Sequence, residues 1–105
     1  HIYFGRGSAD LLIESFPELD KLAAVLQENP AVSILLEGHT EIYGNKKALV
    51  KLSESRVSAV KRYLVNKGID TKRVKYKGYG PNKPLTMEDT EEARQLNRRV
   101  EVKIL

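Results

Sequence analysis

Residues 46–67 constrain this chain more than any other stretch. Leu49, Leu52, Val57, Val60, Tyr63 and Leu64 recur at mostly helical spacing, and Gly68 follows. That is a long amphipathic helix closed by a glycine cap, with Ile69 placed to fold back on the last turn. Its apolar stripe needs a second layer to cover it. The flanking segments supply one. Residues 32–36 form a short apolar run between Pro30 and Gly38, too short for a good helix and suited to a buried strand. Residues 74–79 also suit a strand. Residues 99–105 alternate Val100, Val102 and Ile104 against Glu101 and Lys103, as in a strand with one buried face.

A second helix runs from Ser15 to about Gln27. Ser15 and Glu18 have the spacing of a capping box, Pro17 lies in the first turn, and Asn29-Pro30 ends the helix. Ile2, Tyr3 and Phe4 are an opening strand candidate, broken by Gly5 and Gly7. Residues 88–95 read as a short helix, with acids in front and Arg94 near its end. The order β-α-β-α-β-(short α)-β predicts an α/β (α+β) two-layer sandwich. Two long helices pack on one face of a small mixed sheet.

A chain of 105 residues fits one domain, residues 1–105. It begins at His1 without a leader, and reads as a piece excised from a longer protein. With no cysteine there is no disulfide, thiolate metal site or cysteine nucleophile. No apolar run is long enough for a transmembrane helix. The net charge is +4, and residues 46–77 hold eleven Lys and Arg against Glu54 and Asp70 alone. This local excess raises nucleic-acid binding as one reading, with Tyr63, Tyr76 and Tyr79 as stacking platforms. The other is a solvated helix surface. No nucleic-acid motif accompanies the charge, and the cations are spread around the helix.

Positions 52, 56 and 60 are four apart, so Arg56 projects from within the apolar stripe. A guanidinium there snorkels out, joins a structural ion pair, or grips a ligand carboxylate or phosphate with its planar fork. The loop Gly38-His39-Thr40-Glu41 leaves the end of a strand, where ligands often bind in α/β sheets. Glu41 and Arg56, brought to one side, suit a zwitterion: the carboxylate takes an ammonium and the guanidinium a carboxylate. His39 has no second histidine nearby, so no metal site is expected. No nucleophile-base set is recognisable, so no enzyme and no cofactor are expected. Gly78-Tyr79-Gly80 reads as a turn. Asn97-Arg98-Arg99 puts two arginines at the start of the last strand, as edge charge or as a second anion contact.

These motifs, in order, resemble a known family. Gly38-His39-Thr40-Glu41, Gly44, Leu52-Ser53-x-x-Arg56, Lys67-Gly68-Ile69, Gly78-Tyr79-Gly80 and Asn97-Arg98-Arg99-Val100 are similar to the OmpA-like C-terminal domain. That domain occurs in outer-membrane proteins, peptidoglycan-associated lipoproteins and flagellar stator proteins. The likeness covers nearly the whole chain, including Ser8-Ala9 to Leu12. It implies non-covalent binding of peptidoglycan through the diaminopimelate of the stem peptide. The domain would then anchor a parent outer-membrane or envelope protein in the periplasm of a Gram-negative bacterium. It also implies ligand contacts from Glu41 and Arg56, with His39, Thr40, Asn97, Arg98 and Arg99 around the same pocket. Two positions depart from the family pattern: Glu41 replaces an Asp and Leu49 an Asn. A different diamino acid, or a protein-interaction scaffold with a degenerate pocket, therefore stays open.

Overall fold

The structure, a computed structural model, describes residues 2–3 and 15–105. The expected strand end at Phe4, the breaks at Gly5 and Gly7, and the Ser8–Leu12 part of the resemblance lie outside the described residues. The elements are β1 (Ile2–Tyr3), α1 (Phe16–Glu28), β2 (Ile34–His39), α2 (Lys46–Asn66), a 3-10 turn (Thr71–Arg73), β3 (Val74–Gly80), α3 (Glu91–Asn97) and β4 (Arg99–Ile104). The sheet order is β1-β4-β2-β3. β2 and β3 run parallel, joined by the α2 crossover, while β4 lies antiparallel to both β1 and β2. This is the expected mixed sheet, with α1 and α2 on one face.

The core forms where the two helices meet that face. Leu19, Ala23 and Leu26 of α1 join Val57, Val60 and Leu64 of α2 over Ile34, Leu36, Val74 and Val100. α2 starts at Asn45, whose side chain accepts from Ala48 N at 3.0 Å. It ends as predicted: Gly68 has φ +102°, Ile69 N donates to Leu64 O at 3.2 Å, and the Ile69 side chain joins the core. Arg73 clamps the α1–β2 connection, donating to the carbonyls of Leu26, Asn29 and Val32.

Four expectations are corrected. Ser15 precedes α1, but its backbone is already helical and its hydroxyl makes no cap bond, so the capping box does not form. β2 starts later than expected and runs through Gly38 and His39, where the sequence predicts a loop. The strand continues because Gly38 pairs with Gly78 and His39 with Gly80. Gly38 is there for closeness rather than for turning: a Cβ on it would lie 2.7 Å from Ser53 O of α2. Gly78 has the same role, with an added Cβ 2.6 Å from Glu54 N. It therefore lies within β3, and only Gly80, with φ +60°, has the backbone of a turn. α3 begins at Glu91, because Thr90 caps it by accepting from Ala93 N at 3.0 Å. That shift puts Asn97 inside α3 and makes Arg98 its C-cap, so only Arg99 belongs to β4.

Candidate functional site

The end of β2 carries the predicted residues toward two different faces. Ile34, Leu36 and Gly38 meet the helices, so His39 points to the opposite face, and the chain then turns through Thr40 to Glu41. Thr40 is buried. Its N–H donates to Gly80 O at 3.0 Å and its hydroxyl to Glu41 O at 3.0 Å, which fixes the backbone under Glu41.

On the helix side, Glu41 stands among three guanidinium groups. Glu41 lies 3.8 Å from Arg98 Nη1 and 3.9 Å from Arg94 Nε. Arg56 shares the cluster. Burial, reinforced by the charge of Arg98, lowers its pKa to about 10, and Glu41 acts against that shift. Arg56 therefore stays charged at neutral pH. It does not snorkel: it is 1% exposed, and among the described residues it is the largest fully buried side chain. Ser53 and Val57, on either side of it in α2, are packed against Gly38, so Arg56 is placed by backbone contact between helix and strand.

A second cluster sits on the opposite face. His39 stacks on Tyr79, with ring centroids 5.4 Å apart, and its Nε2 lies 3.5 Å from Glu101. Arg99 donates to Glu101 through Nε at 2.7 Å, and through Nη2 to Lys83 O at 3.0 Å. Burial, then the charge of Arg99, hold His39 below its ordinary pKa.

Asn97 belongs to neither cluster. Its Oδ1 accepts from Leu85 N at 2.8 Å and its Nδ2 donates to Thr86 O at 3.0 Å, so both ends of the amide hold the segment between β3 and α3. The structure thus brings Glu41, Arg56 and Arg98 together over Thr40, and sets His39, Arg99 and Asn97 apart from them. Sequence reasoning missed Arg94. The signal was its spacing: four residues before Arg98, it falls on the same side of α3. It also reaches Asp89, and its guanidinium lies 5.8 Å from the ring centroid of Tyr43.

The basic segment does not form one face. Arg56 is in the core, Arg73 holds backbone carbonyls, and Lys67 pairs with Asp20 at 3.4 Å. The three tyrosines also part company. Tyr63 stacks on Phe16, Tyr79 stacks on His39, and Tyr76 lies beneath Lys61. Among the described residues no helix is long and apolar enough to cross a membrane, and no cluster of His, Asp and Glu is arranged to hold a metal ion.

Comparison with known proteins gives a consistent family. A profile described as the OmpA family matches residues 3–98. The peptidoglycan-associated lipoprotein of Haemophilus influenzae is 37% identical over 98 residues, which is 93% of this chain and 64% of that protein. Outer membrane porin F of Pseudomonas aeruginosa is 38% identical over 91 residues, 86% of this chain and 26% of that protein. The chain thus spans less than two thirds of either relative. The crystal structure of the peptidoglycan-associated lipoprotein from Burkholderia pseudomallei superposes with a TM-score of 0.94 at 25% identity, covering 99% of this chain and 88% of that one.

Proposed function

The chain belongs to the OmpA family, and from that premise we propose that it binds peptidoglycan without cleaving it. The ligand is the diaminopimelate of the stem peptide, and binding ties a longer outer-membrane or envelope protein to the cell wall in the periplasm. The observation that carries this reading is the carboxylate of Glu41 set among Arg56, Arg94 and Arg98 at the end of β2. Such a set is matched to a zwitterion. Glu41 takes the ligand ammonium, and Arg56 with Arg98 takes its carboxylate. Of the two neighbouring arginines, Arg98 is the ligand contact in this reading. Arg99, Asn97 and His39 support the walls from behind. The reading is of a binder, with no bond made or broken and no cofactor.

The test is retention on purified sacculi, competed by free diaminopimelate. The reading expects retention by the parent chain, release by millimolar diaminopimelate, and loss with Arg56→Ala. Retention that survives both arms would reduce the contact to generic attraction by the basic segment. One observation favours a second reading, a protein-interaction scaffold with a closed pocket: Arg56 and Arg98 are both buried. That reading expects a folded domain with no sacculus retention at all.

A further inference from the structure

Two acids outside the predicted site sit on its arginines. Glu91, the first residue of α3, accepts from Arg98 Nη2 at 2.7 Å. Asp89, just before α3, accepts from Arg94 Nη2. Both arginines face Glu41 only at 3.8 and 3.9 Å, so their closer bonds are to the rim. The Arg98 side chain is 3% exposed and that of Glu91 is 62% exposed. An exposed carboxylate on a buried guanidinium occupies the position from which a carboxylate arriving out of solvent would approach.

The donor inventory sharpens this. A guanidinium offers two edges for a two-bond carboxylate grip, Nε with Nη2 and Nη1 with Nη2. Both edges need an Nη2 proton. In Arg98 the two Nη2 protons go to Glu91 and to Gln95 Oε1, each at 2.7 Å. Arg98 Nε and Nη1 have no hydrogen-bond partner within the protein. Each edge is therefore half taken, and its other donor is buried beneath the occupant, with Nη1 also facing Glu41 at 3.8 Å. Gln95, on the same helix, still holds one Nη2 proton when Glu91 is removed, so Glu91 is the occupant whose loss frees an edge.

We propose that Glu91 is a built-in competitor for the ligand carboxylate at Arg98, and so limits how tightly this domain holds its ligand. This rests on the wall-binding reading above. The test is titration calorimetry with free diaminopimelate on Glu91→Ala, with Glu92→Ala as the reference. Glu92 is exposed and also an acid in the first turn of α3, so its loss matches the change in net charge and helix dipole. Glu91→Ala is expected to bind at least about threefold more tightly than Glu92→Ala, within the span of a part-exposed ion pair. Cadaverine, the diamine without either carboxyl group, should show no such gain. Should Glu91→Ala melt well below Glu92→Ala, Glu91→Met, which keeps the chain length and removes the oxygen acceptors, replaces it in the same comparison. Equal or weaker binding by the Glu91 variant, or the same gain with cadaverine, overturns the proposal while leaving the wall-binding reading intact. Absence of diaminopimelate binding in the parent and every variant overturns the ligand reading, and this proposal with it.

Discussion

Gly38→Ala tests how the fold positions the site. A Cβ at this position would lie 2.7 Å from Ser53 O and 2.8 Å from Val57 Cγ1. Ordinary contact begins near 3.4 Å. Val57 can turn its side chain, but Ser53 O belongs to the backbone of α2, so the helix itself must retreat. Overpacking of this kind typically costs about 1–3 kcal/mol. For a domain of this size each kcal/mol lowers Tm by about 4–8 °C, so the expected fall is roughly 5–20 °C. Because Arg56 lies between Ser53 and Val57, the same retreat draws it away from Glu41, and ligand affinity should drop with stability. Gly68→Ala is the contrast. Its φ of +102° strains any L residue, at about 1–2 kcal/mol, but an added Cβ meets only Gln27 Nε2 at 3.9 Å. It should lower Tm without touching affinity. Thermal melts by circular dichroism, paired with sacculus retention, separate the two. A Gly38→Ala domain that melts within about 2 °C of the parent would refute the packing argument.

Arg56→Lys should recover only part of the retention lost in Arg56→Ala, because an ammonium lacks the two-bond fork; losing that fork should weaken binding at least about tenfold, measured by calorimetry with diaminopimelate. Asn97→Ala strands Leu85 N–H and Thr86 C=O, each lost bond costing about 1–3 kcal/mol where the groups stay dry, and should speed amide exchange at Leu85 before it alters exchange in α2. His39 should make the domain less stable in mild acid. Its folded pKa is depressed, so below the ordinary value of 6.5 the unfolded chain binds the extra proton, and stability falls as pH drops through that value toward the folded one. Burial drives this first, with Arg99 and then Lys83 adding to it, against Glu101 and Glu37. His39→Phe, which keeps the stacking on Tyr79, should flatten denaturant midpoints between pH 7 and pH 5; an unchanged slope counts against it.

Much of the fold was legible because it rests on local pattern. The 46–67 stripe and Gly68 located α2 to within a residue, since periodicity and cap chemistry are both written in adjacent residues. Gly38 was misread because a glycine that breaks a strand and one that admits a helix are the same letter. Only the register of β2 against β3 and the approach of Ser53 tell them apart. The site was legible in part for the same reason. Arg56 was visible as a charge in an apolar stripe, and Glu41 as an acid at a strand end. The division of Arg98 from Arg99 was not visible, because it follows from where α3 ends, and that end was set by a threonine cap upstream.

The strand that comes last along the chain is an inner one. β4 lies between β1 and β2, so residues 15–80 can pair β2 with β3 but leave the other side of β2 bare. As the polypeptide emerges from N- to C-terminus, the sheet therefore stays incomplete until residues 99–104 arrive. Arg98 reaches Glu41 only at that same moment. Completion of the fold and completion of the site should then be one event. A nascent chain stalled before residue 99 would offer an open β2 edge to neighbours and no ligand pocket, whereas the finished one closes both at once.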